Sequence, residues 1–378
     1  MRASVLPDAR QRRPAGRFVW LSVDTEDPRN AAFLERFPIS SYPTFLVIDP
    51  REERAVLKWL GSASAPQLAK LLGDAERRRP RGADAVLARA DRAQAEGRLG
   101  DAERDYLAAL AQGGRRWGHR PRAVESLVLA LSGGGLLEGC AETALREAPA
   151  LPRGPSFANA VATGLGCAVA AEPDQLWRGA ALKGLTPLAR EALQLRGLLA
   201  DDRSGLYEAL TEARAAEGAR AEAKAIAEAW WRFLEDERRR AGTAEQRTAL
   251  DGPRVAAALA LEDPARALPA LAASEAALPA DFNPPYRAAR LLLELGRRAE
   301  ARAAIQRALA HAYGGRKLGV YRLAARIERE DGDRAAAARA LDEALAYAEQ
   351  LPPPQRKPDL VASLRAQRSA LEDAAAAP

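Results

Sequence analysis

Residues 18–24 (FVWLSVD), 28–37 (PRNAAFLERF) and 41–49 (SYPTFLVID) decide how this chain is read. The first and third are short β-branched and aromatic runs bounded by Asp and Pro, the composition of strands in a mostly buried sheet. Asp27-Pro28 opens the middle stretch as a helix, because a proline at the first helical position lacks only an N–H that would have no partner anyway. Ala31, Phe33, Leu34 and Phe37 give that helix one apolar face. A strand, a crossover helix and a second strand of these lengths predict a parallel βαβ unit. Ala55–Leu60 (AVLKWL) adds a third strand through the Asp49-Pro50 turn signal. Ser64-Ala65-Pro66 then starts a helix carrying Leu68, Leu71 and Leu72.

In this order and spacing, four groups of residues resemble the C-terminal half of a thioredoxin domain. They are Asp24 at the end of FVWLSVD, Phe37-Pro38-Ile39, Tyr42-Pro43-Thr44 and Trp59-Leu60-Gly61. The resemblance covers residues 1–75 and makes 1–78 a partial thioredoxin-like α/β domain. It implies that Pro43 is a cis proline facing a redox-active disulfide and that Tyr42 offers its backbone to an extended substrate peptide. Tyr42, Pro43 and Thr44 are therefore the substrate-binding residues it implies.

The family's chemistry needs Cys-x-x-Cys at a helix N-terminus, where the dipole and nearby N–H groups lower the first thiol's pKa. By resemblance that motif falls at or just before Met1, and residues 2–13 look like the tail of the helix after it. No cysteine precedes Cys140. The family's strand between FVWLSVD and PTFLVID is missing as well, so these two either pair directly or leave open edges. Two explanations stand: a translation start assigned inside a longer gene, or a degenerate thioredoxin half kept as a docking surface. As written, the chain has no catalytic residue and is expected to show no disulfide reductase activity in the cytoplasm. The alternative is a truncated thiol-disulfide oxidoreductase, periplasmic or exported, with its Cys-x-x-Cys upstream of Met1.

From residue 79 to 375 the strand signals give way to Ala/Leu/Arg/Glu periodicity, so the chain is α+β overall but mostly α. Gly97 precedes Ala102, Tyr106 and Ala109-Leu110; Gly296 precedes Ala301, Ile305 and Ala308-Leu309; Gly332 precedes Ala337, Leu341 and Ala344-Leu345. Gly ends one helix and allows a tight turn, the small Ala lets the second helix approach, and the bulky residue fills the layer between them. This resembles the tetratricopeptide repeat, with the clearest copies near 83–112, 283–311 and 318–347 and a weaker one at Gly218. The resemblance implies an α-helical solenoid that presents a surface to a protein or peptide partner. Between 115 and 280 the pattern degrades into irregular hairpins, where Trp177, Trp230, Trp231 and Phe233 read as inter-helix core. Leu360–Leu371 reads as a capping helix.

The 57 basic and 51 acidic residues leave a net charge of only +6. Arg77–Arg79, Arg115-Arg116 and Arg238–Arg240 sit at expected helix ends, where they suit the negative end of the dipole. Nucleic-acid binding would want a basic stripe interleaved with aromatics, which make up 5% of the chain, so no nucleic acid is expected. No apolar run of about twenty residues spans a membrane. Gly133–Gly135 is followed by no Lys-Ser/Thr and preceded by no strand, so it is not a phosphate loop. Cys140 and Cys167 lack metal-ligand spacing, and His119 and His311 supply no nearby partner, so no metal or cofactor is expected. The two cysteines read either as small buried side chains or, if 136–148 and 156–171 form an antiparallel hairpin, as a disulfide.

Overall fold

The computed structural model describes residues 16–39, 41–77 and 79–376, with side chains to residue 372. Residues 2–13, read above as a helix tail, lie outside the described residues. Contacts group the chain into two compact units: Met1–Trp20 with Ile39–Glu237, and Leu21–Pro38 with Arg238–Pro378.

FVWLSVD forms no strand, and the expected parallel βαβ unit is absent. After Asp27, whose side chain caps the 3-10 turn Pro28–Asn30, comes the short helix α1 (Ala31–Arg36). Both belong to the second unit. One cause and its consequence are visible. Asp24, Thr25, Glu26 and Asp27 find hydrogen-bond partners at residues 313–355. Val19 and Leu21, which a sheet would have buried, are instead 88% and 77% exposed.

The sheet consists of two antiparallel strands, β1 (Thr44–Asp49) and β2 (Arg54–Leu60), with Thr44 opposite Leu60 and Asp49 opposite Arg54. Asp49 stabilises the connecting turn by accepting the Arg51 N–H at 2.8 Å. Strand periodicity of two puts Ala55, Leu57 and Trp59 on the buried face of β2. Helix α2 (Ala65–Ala75) opens with a reciprocal cap between Ser64 and Gln67 and lays Leu68, Leu71 and Leu72 on Leu57 and Trp59. Phe18, Phe45 and Val47 border the same cluster. Each wholly buried Leu contributes about 1.5–3 kcal/mol.

The rest of the first unit is helical: α3 (Ala83–Ala95), α4 (Leu99–Gly113), α5 (Arg120–Gly133), α6 (Leu137–Glu147), α7 (Pro155–Ala170), α8 (Leu176–Leu193), α9 (Ala200–Ala216) and α10 (Arg220–Arg240), whose last residues pass into the second unit. The second unit continues with α11 (Ala244–Thr248), α12 (Asp251–Ala260), α13 (Leu268–Ala277), α14 (Asn283–Glu294), α15 (Arg298–His311), α16 (Arg316–Glu330), α17 (Arg334–Gln350) and α18 (Pro358–Ala376). Trp230 and Trp231 are buried, and Trp177 packs at the border of the first unit's core.

One backbone device recurs. Gly97, Gly135, Gly197, Gly218, Gly296 and Gly332 have φ between 70° and 88°, and Glu262 takes the same left-handed conformation at 59°. At Gly97, Gly296 and Gly332 the following N–H reaches the carbonyl five residues back, which closes the helix end. Five residues beyond the seven turns stand Ala102, Cys140, Asp202, Ala223, Ala267, Ala301 and Ala337, every one buried. Nine beyond stand Tyr106, Ala144, Leu206, Ala227, Leu271, Ile305 and Leu341, also buried. The repeat thus continues through 115–280, where the sequence pattern looked degraded. It was hidden because a Cys, an Asp and a Glu occupy positions usually read as Ala or Gly.

Candidate functional site

The Tyr42-Pro43 peptide bond is cis. The Pro43 carbonyl accepts the Gly61 N–H at 2.9 Å, and the Thr44 hydroxyl donates to the Ser41 carbonyl at 2.7 Å. The first bond joins the two ends of the hairpin, the second holds the turn that enters it, and Tyr42 is left 61% exposed. Among the described residues β1 pairs with β2 alone, so its outer edge carries no strand. FVWLSVD and PTFLVID do not pair.

Behind the hairpin lies a cleft of 610 Å³ within the first unit. Its walls come from Val47 and Val56 of the hairpin, Asp74 of α2, Asp84 and Asp91 of α3, His119 at the start of α5, and Arg122. His119 Nδ1 stands 3.2 Å from Asp74, and its Nε2 stands 3.9 Å from Asp84. Arg122 pairs with Asp91 at 2.5 Å and with Asp74 at 3.4 Å. The Tyr106 hydroxyl donates to Asp91 at 2.9 Å, and Trp117 donates to Asp84 at 2.8 Å. Burial would raise the Asp74 carboxyl, but the His119 hydrogen bond and the Arg122 and Arg77 charges hold it below its usual value. Burial beside Asp91 pushes the Tyr106 phenol well above its ordinary value, so it stays a donor.

An imidazole beside a carboxylate is one part of a nucleophilic relay, but no Ser, Thr or Cys lines this cleft. The arrangement is a charge node that ties α2 to α3 and α5. Neither histidine had shown a partner in the sequence, because Asp74 and Asp84 stand 45 and 35 residues before His119 and meet it only through helix packing. Among the described residues no three His, Cys, Asp or Glu side chains are placed to hold a metal. No helix is long and apolar enough to cross a membrane, again among the described residues.

Cys140 of α6 and Cys167 of α7 form a disulfide with Cα atoms 6.3 Å apart, buried in the helical core and on neither strand of the hairpin. The structure does not bring them to Tyr42, Pro43 and Thr44, which sit at the start of β1.

No protein-family model matches the sequence, and no curated protein does. Solved structures that are similar to it include tetratricopeptide repeat proteins. A tetratricopeptide repeat protein from Parabacteroides merdae aligns at TM-score 0.48 and 10% identity, over 75% of this chain and 98% of that one. The ribosomal-protein assembly chaperone Acl4 aligns at TM-score 0.35 and 14% identity, over 78% and 99%. The TPR2AB domain of yeast Sti1, solved in complex with an Hsp90 peptide, aligns at TM-score 0.29 and 18% identity, over 76% and 98%. The hairpin reading of this chain rests on its own seven left-handed turns and the buried positions after them.

One further feature of the core escaped the sequence reading. Glu125 of α5 is wholly buried and accepts from the Asn159 amide of α7 at 2.7 Å. Asp202 of α9 is 8% exposed and feels the Glu125 and Asp201 charges. Burial pushes each carboxyl up to about 7; Ser156, Asn159 and Arg122 pull Glu125 back only in part. No motif marks such a pair, since its members stand 77 residues apart.

Proposed function

We propose that this chain is a non-catalytic protein-interaction protein, whose helical hairpins present their surface to a protein or peptide partner. The observation that carries this reading is the repeated turn with a buried residue five and nine positions after it, the construction of stacked helical repeats whose outer faces are left to bind. Residues 41–75 are read as the substrate-facing half of a thioredoxin-like domain, retained as a second docking surface within the limit near residue 78. The antiparallel hairpin followed by α2 and the open edge of β1 support that assignment.

Two experiments test the reading. Photo-crosslinking residues placed at Tyr42 and at the exposed Leu107 should capture a discrete protein at one position or both. No adduct at either position sinks the proposal. In an insulin-reduction assay the chain should stay at background; turnover would show that a thiol-disulfide exchange activity had been missed.

A further inference from the structure

Within the second unit an acidic stretch near the N-terminus is held by residues some three hundred positions further on. Residues 24–27 (DTED) lie across the turn between α15 and α16. The Glu26 carboxylate, 7% exposed, accepts the Arg316 N–H at 2.8 Å, at the N-terminus of α16 where backbone donors point outward. The Gln355 amide, 3% exposed, donates to the carbonyls of Thr25 and Asp27, each at 2.9 Å. The Tyr313 hydroxyl donates to Asp24 at 2.8 Å. The segment makes a turn, with the Glu26 N–H on the Asp24 carboxylate at 3.0 Å, and both its backbone and its side chains are contacted.

The floor of the site is shaped for close approach. A Cβ on Gly314, whose φ is +60°, would stand 2.5 Å from the Glu26 carbonyl oxygen, and one on Gly315 would collide with the Gln355 carbonyl. Gly314 lets the backbone of residues 24–27 lie directly on the turn, and Gly315 lets the Gln355 backbone close in beside it. The Lys357 side chain lies beside Gly315, and Arg316 stacks over Phe282 at 5.1 Å, so the surroundings are cationic.

We infer that the Tyr313–Arg316 turn with Gln355 is a docking site for an acidic turn of a partner protein, which residues 24–27 occupy in its absence as a displaceable latch. Recognition uses one carboxylate on a helix N-terminus, a second on a phenol, and two backbone carbonyls on a primary amide. A tethered occupant competes at an effective concentration of about millimolar, so a free partner segment must bind more tightly than the latch does. The inference rests on the protein-interaction reading only in taking the occupant to be a protein.

The test uses the full chain and a labelled synthetic peptide copying residues 21–37. Glu26→Lys should open the latch, seen as faster hydrogen exchange over residues 21–38. It should also raise affinity for the peptide at least tenfold over the unchanged chain, measured by fluorescence anisotropy. A peptide itself carrying Glu26→Lys should not bind. Gly314→Val added to the opened chain should abolish binding, with circular dichroism checking that the helices remain. Three results overturn the inference: an opened chain that does not bind the peptide, equal affinity of opened and unchanged chains, or a Glu26→Lys chain whose 21–38 segment stays protected. None of these affects cross-linking at residues 42 and 107, so this idea and the broader reading fail separately.

Discussion

In helices α14–α17 the positions five, nine and twelve residues beyond each turn hold Ala301, Ile305 and Ala308, then Ala337, Leu341 and Ala344, all buried and all apolar. In α5–α9 the same device is filled differently. Cys140 stands five residues beyond Gly135 and is bonded to α7, while Asp202 stands five beyond Gly197 and shares its surroundings with Glu125. Both regions need a small side chain there so that helices can close up. Size is the constraint, and polarity is admitted where neighbouring helices supply partners. The second unit's hairpins stay with alanine; the first unit stores charge and a covalent link in the same slots.

The largest expected effect concerns another buried charge of the first unit, the Asp91–Arg122 ion pair. Arg122→Ala leaves Asp91 buried with only Tyr106 to answer it, and should destabilise the chain by about 3–5 kcal/mol in urea unfolding. Ile305→Val, an apolar trim in the second unit, should lower stability by about 1 kcal/mol. Equal effects would erase the distinction between the two regions. Next comes the disulfide. Cys140→Ser with Cys167→Ser should lower stability by about 3 kcal/mol, because the link closes a loop of 27 residues in the unfolded chain. Scanning calorimetry in the presence and absence of reductant gives the same comparison without mutation.

The carboxyl pair sharpens the contrast through pH. Glu125 and Asp202 hold their protons to about 7 when folded, whereas unfolded carboxyls release theirs near 4. Their contribution to stability is therefore full below pH 4 and lost as pH rises through 7. Asp202→Asn should raise stability at pH 8 by about 2 kcal/mol and have almost no effect at pH 4. Thermal melts across that range check it, and a variant equally stabilised at both pH values would refute the buried-charge account. The smallest effect concerns the turn itself. Glu262→Gly removes a side chain from a left-handed residue and should stabilise by about 1 kcal/mol, which denaturant midpoints resolve.

Local chemistry was legible where a residue answers to its near neighbours. The Ser64/Gln67 cap, the alternation of Ala55, Leu57 and Trp59, and the turns at Gly97, Gly296 and Gly332 follow from residues within a few positions. FVWLSVD shows where this reasoning stops. Its composition is that of a strand, yet a strand needs a neighbour to take its backbone bonds, and the chain after it is instead held by the Asp24 and Glu26 carboxylates on Tyr313 and Arg316, nearly three hundred positions away. The charge node around His119 was invisible for the same reason. Of the proposed docking residues, Tyr42 and Pro43 stood out by resemblance, while nothing in the sequence joined Glu26 to Gln355.

By itself, then, the sequence determined the elements: a hairpin and helix near residue 50, helical hairpins from 83 onward, and the glycine that ends several of them. These depend on backbone conformation and periodicity, which neighbours along the chain control. Tertiary structure alone decided the company each element keeps, because burying apolar faces brings together residues that no spacing rule connects. It withheld a partner from FVWLSVD, set Glu125 beside Asp202, joined Cys140 to Cys167, and laid residues 24–27 across a bare Gly-Gly turn.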